Sequence, residues 1–356
     1  MSRLYRNSEQ VPYLPLRGMS LAPATQTAYS KQLGSFLSHA RFDLHSFSVA
    51  RASLVDRALA VYIQACYDAR SSFTYVSQAL SGAVHQRPDL RHRLPISRQC
   101  LRGWDKTRET TSHPPLTWEL TVVMSCTLAR SGYHGPAIAM LLAFDCFLRV
   151  GELTRIRFTD IVMPNDPRTG RAHSTMAVVL RTAKTGKLQS VGVADQDVAR
   201  LVAMWARSPL VHSDPSEPDP RLFAFSPDLL RRLMYHTSMA LQLPTRYTPH
   251  SLRHGGATDD FLRHGSVERV QFRGRWKQLE SVRRYVQMAR AGLSRRQVPP
   301  HVHQFGVALS GDLVTVMSHL LRTVPPALTR APSNRRVTFN LSASVPAGPH
   351  RSPDRR

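Results

Sequence analysis

Between Pro136 and Leu148 the chain runs PAIAMLLAFDCFL, and Leu116–Leu128 before it is almost as apolar. Segments of this length and character read as helices of a core. The second one ends on Arg149. A guanidinium set at the end of so apolar a run is costly unless something pairs with it. Glu152, three residues on in the same CFLRVGELTRI stretch, shares a helix face with Arg149 and can hold it in place.

Beyond this point the period changes. RFTDIVM, STMAVVLRTAK and LQSVGVA are short, β-branched and bounded by Pro, Gly and Asn. They are expected to form three antiparallel strands, with Lys184, Thr185, Gly186 and Lys187 at the tip between the last two. Helix returns over 195–207, and again from Ser226 to about Leu241. There Ser-Pro-Asp combines an N-cap, a proline at the first helical position and an acid in the first turn. Upstream, apolar residues at helical spacing mark three shorter helices: one capped by Thr25, one from Leu54 to Ala69 and one near Tyr75 to Val84. Basic residues on their outer faces suit a small bundle that grips a duplex. The expected fold is mainly α with a small antiparallel sheet.

Composition divides the chain further. Residues 1–21 are polar and read as a flexible N-terminal arm, and 22–86 as the helical bundle. The stretch 87–115 is basic with prolines at both ends, which suggests an interdomain linker with room for one helix around Arg98 to Lys106. Residues 116–298 form a mixed α+β domain. Residues 299–356 hold one amphipathic segment, GDLVTVMSHLLR, and then a basic tail rich in Arg, Ser and Pro that is expected to be disordered.

The 356 residues carry 48 Lys and Arg against 24 Asp and Glu, a net charge of +24. Such an excess suits a polyanionic partner, nucleic acid before any other. A ribosomal or chromatin protein with no chemistry would satisfy it equally, so an enzymatic reading has to come from particular residues. The four cysteines are scattered and form no C-x-x-C pair, as expected of buried thiols in a reducing compartment. No run of about eighteen apolar residues occurs, and the N-terminal stretch lacks the apolar core of a signal peptide. A soluble intracellular protein with no membrane partner is expected, nuclear in a eukaryotic host and otherwise in cytoplasm or nucleoid.

The particular residues lie in 247–285, YTPHSLRHGGATDDFLRHGSVERVQFRGRWKQLESVRRY. This stretch offers His250 and Arg253 three apart, then Trp276, then Tyr285 nine residues further on. With Arg149 they make a set able to surround a phosphodiester and attack it. The acidic clusters of a two-metal nuclease are not evident, since Asp259-Asp260 has no obvious acidic partner. His250 and His254 at i, i+4 lack the Glu and third ligand of a zinc site. The positive charge is therefore expected from protein, with no metal or cofactor.

From about Thr25 to Tyr285 the chain resembles the tyrosine recombinase (phage integrase) family. That family is marked by an Arg in an R-x-G/S-E-L context, a Lys on a β-hairpin, H-x-x-R, a His or Trp, and a Tyr about nine residues after it. Here these positions are Arg149, Lys184, His250, Arg253, Trp276 and Tyr285. The resemblance implies a helical core-binding domain and a catalytic domain acting on double-stranded DNA. It implies a site-specific recombinase or integrase that cuts and rejoins strands through a 3′-phosphotyrosyl intermediate, as a homo-tetramer on synapsed duplexes. Arg149 and Arg253 would clamp the phosphate, with Glu152 in support. Lys184 would protonate the leaving 5′-oxygen, with Lys187 as competitor. His250 would accept the tyrosine proton or donate to phosphate. Trp276, a donor only, would bond a non-bridging oxygen, pack, or do both. Tyr285 would attack.

Two rivals stand beside this reading: a type IB topoisomerase, which relaxes supercoils with much the same residues, and a domesticated, catalytically silent DNA-binding protein. The Arg-rich, Pro-rich composition hints at a eukaryotic transposable element of DIRS type or Crypton-like kind. The segment Asp312 to Arg322 is expected to dock on a neighbouring subunit.

Overall fold

Helices dominate, as the apolar spacing expects, and among the described residues the one sheet is antiparallel. The structure, a computed structural model, describes residues 20–108, 113–169, 175–183, 186–212, 214 and 216–327, with the side chains of 169, 182, 183, 186, 187 and 294 left out. The expected arm up to residue 19, Lys184 and the basic tail from 328 lie outside the described residues. The chain divides into two compact units, Met1–Thr111 and Ser112–Arg356.

The first unit holds α1 (Pro23–Ala40), α2 (Leu44–Val49), α3 (Ala52–Asp68), α4 (Phe73–Gln86), a 3-10 turn (Pro88–His92) and α5 (Pro95–Thr107). Helix α1 begins with Pro23 in its first turn and Ala22 as the cap, three residues earlier than a Thr25 cap would place it. Phe36, Phe47, Leu59, Ile63, Val76 and Leu80 form the core, and Leu90 and Leu94 join it fully buried. The stretch expected to link two domains therefore belongs to the first of them up to Thr107. Its basic residues point outward while two leucines and one helix end point in. That helix end is held by Asp56, a buried carboxylate near the start of α3. It accepts from Ile96 N at 3.0 Å, from Ser97 N at 2.9 Å and from Ser97 Oγ at 2.6 Å. A carboxylate there satisfies otherwise unbonded amides and complements the helix dipole.

The second unit is built around α7 (His134–Asp145), whose residues are all buried. Helix α6 (Trp118–Arg130), α9 (Gln196–Ala206) and α11 (Pro249–His264) pack around it. After α7 come α8 (Val150–Leu153) and the sheet in order β1 (Ile161–Val162), β2 (Ala177–Ala183), β3 (Gly186–Gly192). Val178 pairs with Val191 and Leu180 with Gln189, so the inward set Val178, Leu180 and Val191 meets the core. Helix α10 (Pro227–Ala240) starts on Ser226, whose Oγ accepts from Leu229 N at 3.1 Å as its sequence expects.

The chain then runs through α12 (Val267–Gly274), α13 (Leu279–Tyr285), α14 (Met288–Gln297), α15 (Pro300–Gly311) and α16 (Leu313–Thr323). The last of these is the segment expected to dock on a neighbour. Its apolar residues Leu313 and Met317 are buried in their own chain, with Met317 Sδ 3.7 Å from Cys126 Sγ on α6. Helix α15, which no sequence signal marked, lies so close to α6 that a Cβ on Gly306 would sit 2.6 Å from the Glu119 carbonyl oxygen. Among the described residues no helix is long and apolar enough to cross a membrane.

Asp56 yields a direct test. Replacing it by alanine strips the amides of Ile96 and Ser97 of their acceptor and leaves the Ser97 hydroxyl only the backbone carbonyl of residue 56, at a cost of about 2–4 kcal/mol. Chemical denaturation of the full chain should show the first unit's transition moved to lower denaturant by that amount, with Asp56→Asn in between.

Candidate active site

The corner after α7 sets the geometry. Phe147 adopts a left-handed backbone, φ 49°, which is rare for an aromatic residue. It turns the chain so that Arg149 caps α8. Helix α11 approaches this corner closely enough that only glycine fits. A Cβ on Gly256 would lie 2.0 Å from the Phe144 carbonyl oxygen, and one on Gly255 2.1 Å from that of Leu116. Both glycines are thus required by packing, and they bring Arg253 beneath Phe147.

Arg149 and Glu152 pair as their spacing expects. The Arg149 backbone amide donates to Glu152 Oε2 at 2.9 Å, and Nη1 donates to Oε1 at 2.7 Å. Arg253 has no exposed surface. Its Nη1 donates to the Phe147 carbonyl, its Nη2 to the Gly274 carbonyl at 2.8 Å, and its Nε has no acceptor within the described chain. The guanidinium faces the Trp276 ring at 4.4 Å and the Tyr285 ring at 5.3 Å.

Tyr285 ends α13 inside this cluster. Its ring stacks on His254 with centroids 4.5 Å apart and lies 4.8 Å from the Trp276 ring. Its carbonyl oxygen is approached by Thr258 Oγ1 at 3.2 Å and His254 Nδ1 at 3.4 Å. Trp276 is buried against Phe147 and Tyr285, with an Nε1 that has no acceptor in the described chain. It can stand there only because Gly274 lacks a side chain: a Cβ at that position would fall 1.6 Å from the indole. His250 reaches solvent, one turn before Arg253, with its ring 6.1 Å from Tyr285 and 5.4 Å from His113.

Three residues here had no place in the sequence reading of the site. His254, considered there only as a metal ligand, serves as the platform under Tyr285, and His113 flanks His250. Arg275, buried and left-handed (φ 57°) at the end of α12, donates through Nη2 to Glu152 Oε2 at 3.0 Å. No spacing rule would have singled out this arginine in so basic a chain. Among the described residues no three His, Cys, Asp or Glu side chains gather as metal ligands would.

The electrostatics follow from the crowding. Arg149, Arg253 and Arg275 surround one carboxylate, Glu152, leaving positive charge in excess where water is scarce. Burial, then Arg149 and Arg275, bring Arg253 down to about 9, so it stays charged at neutral pH. Burial pushes Glu152 up, but the Arg149 amide and the Arg275 and Arg149 guanidiniums more than offset it and hold the carboxyl below its usual range. Partial burial, then the charges of His113, Arg253 and Arg149, lower His250 below the ordinary imidazole value of 6.5. Burial lowers His254 to about 4. Both imidazoles are neutral at pH 7.

No protein-family model matches the sequence, and no curated protein matches it either. Solved structures do match. A lambda integrase dimer bound to a COC′ core site aligns with a TM-score of 0.54 at 14% identity, over 77% of this chain and 74% of that one. The XerH site-specific recombinase bound to palindromic difH substrate, a post-cleavage complex, aligns with a TM-score of 0.52 at 14% identity, over 76% and 78%. The fold is that of the tyrosine recombinases. On this recombinase fold Arg149, His250, Arg253, Trp276 and Tyr285 come together in one cluster. Lys184 lies outside the described residues, and Lys187 is described only as the backbone partner of Thr182.

The glycine contacts predict the behaviour of one variant. Gly256→Ala forces α11 away from the Phe144–Phe147 corner, at a cost of about 1–3 kcal/mol or more. Thermal unfolding should fall by several degrees, while Gly265→Ala, whose Cβ would meet open space, should show only the smaller cost of a left-handed alanine.

Proposed function

We propose that this chain is a site-specific DNA recombinase that cleaves and rejoins strands through Tyr285. The observation that carries the reading is the buried excess of guanidinium charge beside a phenol. Arg149 and Arg253 belong to a cationic cluster whose carboxylate, Glu152, is already shared with Arg275, and the Tyr285 ring packs against the Arg253 guanidinium. A phosphodiester supplies the anion such a cluster favours, and paired guanidinium donors match its non-bridging oxygens. The solved neighbours support DNA as the partner, since the XerH and lambda integrase structures are bound to DNA substrates.

In the proposed reaction the Tyr285 oxygen bonds to phosphorus as the bond to the 5′-oxygen breaks. His250, neutral and one turn from Arg253, takes the phenol proton. Lys184, between β2 and β3 in the sequence, gives a proton to the leaving 5′-oxygen, with Lys187 as its competitor. Trp276 and the two arginines hold the non-bridging oxygens as charge builds on them. The product is a 3′-phosphotyrosine and a free 5′-hydroxyl, and attack by the hydroxyl of a second duplex rejoins the strands. The first unit would grip the duplex, and Arg91, His92, Arg98 and Arg102, which line one cavity on its surface, give it cationic groups for phosphates. Four copies on two duplexes complete the exchange.

Incubating the full chain with a pool of random-sequence duplexes and stopping with detergent should yield a covalent protein–DNA adduct. Tyr285→Phe should lose it by about a thousandfold or more. An adduct that survives this change, or supercoil relaxation without recombinant products, would overturn the proposal. Because Tyr285 packs on His254 and Trp276 of its own chain, attack should occur in cis. A mixture of Tyr285→Phe and Arg149→Ala proteins should stay inactive, and restored cleavage would place the nucleophile in trans.

The pH profile gives an independent check. Protonated imidazole cannot accept the phenol proton, so the adduct rate should be level at neutral pH and fall as pH drops through a pKa below 6.5. His250→Gln should lower the rate and remove that inflection.

A further inference from the structure

Arg275 is the group at the centre of the site that the proposed chemistry leaves without a task. It immediately precedes Trp276, where a left-handed residue ends α12 and starts the segment that carries Trp276 and Tyr285. Its side chain turns inward and is 4% exposed. Nη2 donates to Glu152 Oε2 at 3.0 Å and to the Phe147 carbonyl at 3.4 Å, and Nη1 donates to the Cys146 carbonyl at 3.3 Å. The other Glu152 oxygen takes Arg149 Nη1 at 2.7 Å. One carboxylate therefore bridges two arginines from segments more than a hundred residues apart. Arg149 belongs to the corner after α7, and Arg275 to the turn that delivers the nucleophile. The neighbouring Arg273 strengthens the same junction, donating to the Asp145 carbonyl at 2.8 Å and pairing with Asp260.

We infer that Arg275 is a positioning residue: through Glu152 it orients the Arg149 guanidinium, and through the Cys146 and Phe147 carbonyls it fixes the turn on which Arg149 stands. The phosphate clamp is thereby tied to the seating of the segment that holds Tyr285. The consequence for cleavage rests on the function proposed above, while the bridge stands on geometry. Arg275 serves this role better than lysine would, because its planar fork reaches a carboxylate and two carbonyls at once. Removing it leaves Glu152 with Arg149 alone, which both loosens Arg149 and neutralises more of its charge. Arg275 itself does not meet the reacting atoms, so its loss should slow chemistry and spare DNA affinity.

The test uses the full chain in two measurements. First, single-turnover adduct formation on saturating random-sequence duplex is compared for wild type, Arg275→Met, Arg275→Lys, Glu152→Gln and the Arg275→Met/Glu152→Gln double variant. Arg275→Met should slow the rate at least about tenfold with DNA affinity within about twofold, and Arg275→Lys should recover part of it. The double variant should be no slower than its slower parent, the signature of groups acting as one unit. A normal rate in Arg275→Met, or losses that multiply in the double variant, would overturn the inference. Second, hydrogen exchange of the Arg149 guanidinium, read by nitrogen-15 NMR, should speed up at least about tenfold in Arg275→Met and slow again in Arg275→Lys. Unchanged exchange would also overturn it. Should wild type form no adduct at all, the proposed function fails, and the exchange measurement still decides the role of Arg275. Should Arg275→Met fail to fold, Arg275→Lys carries both comparisons, and wild-type values in both would overturn the inference.

Discussion

Glu152 offers two carboxylate oxygens in a place nearly closed to water, and both are occupied by cations from different parts of the second unit. Taking that carboxylate and its partners out of water is expensive, and the cost is recovered only while every partner stays in place. The corner at Phe147, the glycine-lined approach of α11 and the left-handed turn at Arg275 all serve to keep them there. Each of these features is unfavourable by itself. A non-glycine residue at positive φ, a buried guanidinium and a helix pressed against a carbonyl become tolerable together because each supplies what the next one lacks.

The same arrangement explains why the phenol sits where it does. Arg253 is buried between carbonyls and ring faces rather than between acids. Its charge is therefore held in place by neutral acceptors, with Glu152 as the nearby acid. Tyr285 is positioned by ring stacking and by contacts to its backbone carbonyl. Its position thus depends on packing within the second unit.

How far the sequence could be read depended on the range of the interactions involved. Helices α6 and α7 and the sheet followed from local pattern, and α10 from its Ser-Pro-Asp start. The cluster of Arg149, His250, Arg253, Trp276 and Tyr285 followed from the spacing of a motif. What stayed hidden was long-range. Helix α5 was mistaken for part of a linker because its outward basic residues dominate the composition, while its anchor, Asp56, lies some forty residues away in another helix. Arg275 was missed because a buried arginine looks like any other until its acceptors are known. The seat of helix α16 stayed hidden too, because an amphipathic segment does not reveal whether its apolar side finds a place at home.

That last helix changes how Tyr285 is tethered. With α11 packed on α7 ahead of Tyr285, and α15 and α16 seated on α6 behind it, the short stretch between is anchored at both ends. Under the chemistry proposed here, a severed strand would hang from a two-point mooring instead of a loose arm. Its broken end would be kept in register for resealing while its partner strand is free to move.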